Sequence, residues 1–261
     1  MSGSKPRRSQ RSARRKSPND ETSGKGSLDR DITRLIRRVF PDGIVQLPDD
    51  ADEFDLDAAY PELRKQLAVI DGALLLYERE PGGGPVRDYA NAAEDPTDFE
   101  RTRSYLLMFL ALEDERFNYS SEDQIEDEQG LRTVEGTGRI GCTVAISLLA
   151  PVAVVKFDAM EQYDDGSEIL PQVANSVFDL EWRPIDPEQH FRSMMGKEAV
   201  EALRLLAEKI AMTLVARGIR VLPAEQLARQ VAWLRAGDDT LMGDGASSGV
   251  TVLDAFFFEQ L

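Results

Sequence analysis

The chain contains one cysteine, Cys142, and one histidine, His190. A single thiol excludes an intrachain disulfide and the thiolate set of a structural zinc site. A single imidazole excludes a two-histidine metal site and leaves at most one histidine for acid–base work. No apolar run approaches the roughly 18 residues of a membrane-spanning helix, and the basic N-terminus is not followed by the apolar segment of a secretory signal. These absences lead to the expectation of a cytoplasmic protein, with no site demanding a metal or a cofactor and no residue marked as catalytic.

Positive charge is scarce outside the first 27 residues. The chain carries 47 Asp and Glu against 31 Lys and Arg, a formal net charge of −16. Residues 1–27 hold eight Lys or Arg against Asp20 and Glu21, a net of +6, so the remainder stands at −22. This segment also has almost nothing apolar, which predicts a disordered basic tail, with 28–261 as a single acidic domain. An acidic body repels nucleic acid and anionic membrane and attracts basic proteins.

Against these absences stands one long apolar, β-branched stretch, Gly138 to Asp158. Cys142, Val144, Ile146 and Leu148 alternate with Thr143, Ala145, Ser147 and Leu149, the period of two of a pleated strand. Pro151 suits a turn, and a continuous helix through it would lose about 3 kcal/mol. Val152 to Phe157 then reads as a second strand. Tyr105 to Leu112 is an apolar run of strand length, and Ala73 to Glu78 and Ile219 to Leu222 read as further short strands.

Helical periods occur elsewhere. Leu28, Ile32, Leu35, Ile36 and Val39 share a face behind Ser27 as N-cap, and Pro41 ends that helix. Leu63, Leu67 and Ile70 follow Pro61, and a short helix is expected over Asp98 to Arg103. Between Lys197 and Arg217 a stripe of Val200, Leu203, Leu206, Ala207, Ile210 and Leu214 closes at Gly218. Leu227, Val231 and Leu234 predict a helix over 223–234, whereas Val250 to Phe258 reads as a final strand. Together these predict an α+β fold, a mostly antiparallel sheet centred on a hairpin near 141–158 and packed by helices including 197–217 and 223–234.

Little in the sequence carries chemistry. Gly243 to Gly249 lacks the glycine spacing of a dinucleotide loop, and with a strand expected behind it there is no helix N-terminus to meet a pyrophosphate. His190 reads as a loop residue and Cys142 as a small buried hydrophobe. The densest negative patch, Glu122, Asp123, Glu126, Asp127 and Glu128, reads as an acidic loop able to contact a basic protein, as immunity proteins, inhibitors or chaperones do. The leading expectation is therefore a non-enzymatic binding protein for a basic protein partner. A metal-dependent hydrolase built on Asp158, Glu161, Asp164 and Asp165 is the first alternative. The second is a nucleic-acid-associated protein tethered through Arg7, Arg8, Arg11, Arg14, Arg15 and Lys16, although that tail has no aromatic residue to stack on bases.

Overall fold

The computed structural model describes residues 29–48, 60–79, 102–127, 130–166, 168–169, 191, 195–238, 240–241 and 249–260. The basic tail, Glu128, His190 and the Gly243 to Ser248 stretch lie outside the described residues.

The first helix, α1 (Arg30–Val39), is capped by Asp29, whose Oδ1 accepts from the Asp31 backbone N–H at 2.8 Å. The observed cap thus stands two residues after the expected one, Ser27, which lies outside the described residues. Beyond Pro41, β1 (Ile44–Val45) pairs in parallel with Arg235 and Ala236. After α2 (Leu63–Ala68), Gly72 takes a φ of 76° and turns the chain into β2 (Ala73–Arg79). The helix expected at Asp98 to Arg103 is absent at its described end, where β3 (Thr102–Arg103) pairs with Gln260 and Glu259.

The sheet is built on the predicted hairpin. β4 (Tyr105–Leu112) leads through a 3-10 turn at Glu115–Phe117 into β5 (Asn118–Asp127), then β6 (Gly130–Ser147) and β7 (Val152–Tyr163), all antiparallel in sequence-adjacent or near-adjacent pairs. The Asp164–Asp165–Gly166 turn, with Gly166 at φ 83°, returns the chain to β8 (Glu168–Ile169). The main sheet runs β2-β4-β6-β7-β8, with β5 added to β6. The acidic stretch after Ser120 is thus part of a strand pair rather than a loop.

Both faces of the hairpin are buried, which explains the unbroken apolar runs. Cys142, Val144 and Ile146 pack with Leu106, Met108 and Leu110 under α2 and α3 (Lys197–Ala216), where Val200, Leu203, Leu206, Ile210 and Leu214 point inward. Gly218 ends α3 at φ 78°, as its position predicts. On the other face Tyr105, Leu107, Ala145, Val152 and Val154 meet Ile32 and Ile36 of α1 and the C-terminal residues. The chain reaches that face through β9 (Arg220–Val221), which joins β7 in parallel.

Two C-terminal expectations are corrected. The helix predicted over 223–234 is one turn, α4 (Ala224–Leu227). Val231 and Leu234 are buried as expected, but the Val231 N–H bonds to Val250 O at 2.8 Å and the Val252 N–H to Arg229 O at 2.9 Å, so tertiary pairing replaces the helical ladder. Beyond β10 (Arg235–Ala236) and β11 (Thr240–Leu241), the predicted strand at Val250 to Phe258 is mostly α5 (Val252–Phe256). A capping box fixes it: the Thr251 hydroxyl accepts from the Asp254 N–H, and the Asp254 carboxylate accepts from the Thr251 N–H. The chain closes with β12 (Glu259–Gln260). The fold is α+β with a mostly antiparallel sheet, and no described helix is long and apolar enough to cross a membrane.

Candidate functional site

β6 is long enough to serve two sets of neighbours. Its C-terminal part, from Gly141, pairs with β4, and its N-terminal part, up to Arg139, pairs with β5, while β7 runs beside both. The β5–β6–β7 end, with the two-residue β8 on the far side of β7, forms a ribbon. Among the described residues no strand pairs with the outer edge of β5, so that edge presents unpaired backbone groups.

On one face of the ribbon, hydroxyls converge on a carboxylate. Tyr119, Gly138 and Glu161 are cross-strand neighbours, as are Ser121, Gly136 and Tyr163. Glu161 accepts from Tyr119 Oη at 2.6 Å, from Ser121 Oγ at 2.7 Å, and from Tyr163 Oη. The two glycines are what allow this. A Cβ on Gly136 would stand 2.6 Å from Tyr163 Cδ1, and one on Gly138 would overlap the Tyr119 ring, so each ring lies flat against bare backbone. Burial pushes the Glu161 carboxyl up, but the three donated hydrogen bonds outweigh it and hold the group below the ordinary carboxylate value. Burial and the Glu161 charge push both phenols up. The cluster is a fixed negative charge among protonated phenols.

That state has a pH consequence. A carboxyl held low in the fold contributes stability that is complete above its unfolded pKa and disappears as pH falls through the folded value. In Tyr119→Phe, Glu161 is expected to titrate at higher pH than in the wild type. Carboxyl-carbon NMR titration measures this, and an unchanged midpoint would remove Tyr119 from the cluster.

The opposite face of the ribbon is exposed and acidic. Glu122 lies directly across from Glu135, and the Asp164 N–H bonds to Glu135 O at 2.9 Å, so three exposed acids from three segments form one row. Their side chains make no hydrogen bond or ion pair within the described residues. Like charges directly opposite one another destabilise a strand pair. Of the acids singled out in sequence, Glu122 and Asp123 are exposed on β5, and the backbone of Glu126 and Asp127 continues the strand opposite Leu131 and Gly130. Sequence reading missed Glu135 and the tyrosines. The available signal was the alternation of Gly136 and Gly138 within a strand, which marks close approach of neighbouring side chains.

The carboxylates proposed for a metal do not converge. Asp158 and Glu161 project to opposite faces of β7: Asp158 Oδ2 accepts from Thr143 Oγ1 at 2.6 Å and lies 3.4 Å from Lys156 Nζ, whereas Glu161 sits in the hydroxyl cluster. Asp165 pairs with Arg132 at 3.1 Å. Among the described residues no group of three or more His, Cys, Asp or Glu is placed to hold a metal ion. The Cys142 thiol is buried beneath Leu203, and burial first, then the Asp158 charge, push it up, away from the reactive thiolate.

Gly136, Gly138 and Gly141 reproduce the glycine spacing of a dinucleotide fingerprint, but they lie inside β6, and the next element is another strand. Gly141 accommodates Phe109, whose Cζ would stand 2.8 Å from a Cβ there. Behind Gly249 comes α5, not the strand expected from sequence, yet it is only five residues long. Comparison with protein-family models, with curated proteins and with solved structures gives no match.

Proposed function

We propose that this protein is a non-enzymatic binding module that captures a basic, extended protein segment along the β5 edge and the acidic row beside it. The observation that carries the reading is the opposition of Glu122 and Glu135 next to a strand edge that no described residue pairs with. Such an opposition costs stability by itself, and cationic side chains from outside relieve it. An added strand would satisfy the free backbone groups, while Arg or Lys alternating along it would meet the acids, the strand-addition mode of peptide recognition.

The test exploits the opposite signs of the two effects. Glu135→Lys converts the repelling pair into an attractive one, so it is expected to stabilise the fold by about 0.5 kcal/mol. The same change should slow association with a nona-arginine peptide about tenfold at low salt, with the difference shrinking as ionic strength rises. Urea unfolding and stopped-flow fluorescence read the two quantities. A variant that is more stable yet binds the peptide as fast as the wild type at every salt concentration would sink the proposal.

A further inference from the structure

The open edge has a complementary segment within its own chain. We propose that residues 7–17 occupy the acidic ribbon while no partner is bound, and that a basic partner binds by displacing them. This rests on the reading of the ribbon as a site for basic segments, and it adds a regulator to that site.

Three observations support the assignment. The first is charge: the run holds Arg7, Arg8, Arg11, Arg14, Arg15 and Lys16 with no acid among them, opposite Glu122, Glu135 and Asp164. The second is length. Pro6 and Pro18 bound an eleven-residue run free of proline, and proline cannot donate to a ladder, so the segment able to pair matches the ten residues of β5.

The third is reach. Asp29, where the described chain begins, is ion-paired with Arg220 at 2.6 Å, and Arg220 lies beside Val152 at the start of β7. The acidic row is at the other end of β7, about 36 Å away at ~3.3 Å per residue. Glu122 also lies two strands across from β7, about 10 Å more at ~4.8 Å per strand. From Asp29 back to Arg11 is eighteen residues, about 61 Å when extended at ~3.4 Å each, so Arg11 and the arginines before it have the length to reach the row. A tether of this length gives a local concentration on the order of millimolar, enough to favour weak pairing. A second copy of the chain is a poor occupant, because two β5 edges would bring like acids together.

The experiment keeps the full chain. A fluorescent peptide with the sequence of residues 7–17 is titrated into the wild type and into a variant with Arg7, Arg8, Arg11, Arg14 and Arg15 all changed to serine. The variant is expected to bind the peptide about tenfold tighter at low salt, because its own segment no longer competes. Adding Glu122→Lys and Glu135→Lys to that variant should abolish binding. Equal affinity for wild type and serine variant would overturn the resident segment while leaving the ribbon as a site. Failure of both to bind would remove the ribbon reading itself. A second measurement needs no added ligand. Cys142 is fully buried, so a nitroxide attached at Ser9→Cys labels the tail alone. The proposal expects selective broadening of the β5 amides, and β5 amides as sharp as those of α3 would refute it.

Discussion

Phe256→Ala is expected to lower the free energy of unfolding by about 3–5 kcal/mol, a loss measurable by urea denaturation. The side chain is fully buried in the core formed by Ile32, Ile36, Val252 and Leu253 with one face of the hairpin. Its neighbourhood cannot collapse easily, because α1 from one end of the described chain and α5 from the other close over the same patch of sheet. Ser104 adds a polar tie: its hydroxyl contacts Phe256 O and Phe258 O at 3.1 Å, and it accepts from the Phe258 N–H at 2.8 Å. A loss under about 1 kcal/mol would mean that the C-terminal segment is not part of this core.

The second large effect is expected at Lys156. Its ammonium is almost wholly buried beside Asp158, which also holds the buried Thr143 hydroxyl. Lys156→Met takes the buried Lys156 ammonium away from the Asp158 carboxylate 3.4 Å from it and is expected to cost about 3 kcal/mol. Lys156→Met with Asp158→Asn should recover most of that loss, since the carboxylate charge goes together with the ammonium and the acceptor for Thr143 stays. A double variant no better than the single would show that Lys156 acts through packing alone.

Burial, stronger than the pull of Asp158, holds the Lys156 amine below its ordinary 10.5. Between that lowered value and 10.5 the unfolded chain keeps a proton that the folded chain has released. Wild-type stability therefore gains a rising component with pH across that window, and Lys156→Met should lose it.

The hairpin was legible because two physical signals agreed there: the period of two across Cys142 to Leu149 and a proline placed where only a turn tolerates it. The stripe of α3 was legible for the same kind of reason, since one apolar face at helical spacing closes at a glycine with positive φ. Val250 to Phe258 was misread because all its apolar residues are buried and lie on every side of the segment, which blurs the helical period. The Thr251 and Asp254 capping pair was the readable signal there, and it outweighs β propensity. β5 was misread as a loop because its inward residues, Tyr119 and Ser121, carry hydroxyls that meet a carboxylate, so the strand shows no apolar alternation. That partner, Glu161, lies forty residues or more away in sequence.

The sequence by itself determined the sign of the body's field, the central hairpin and the long helix, since charge, alternation and helical period are local properties that survive without a partner. Only the tertiary structure decided that Glu122 stands against Glu135, that three hydroxyls hold Glu161 ionised, and that no strand among the described residues pairs with the outer edge of β5. Each of those depends on strand register, and register is set by which side chains fit across the sheet, a relation between distant segments that no single stretch encodes.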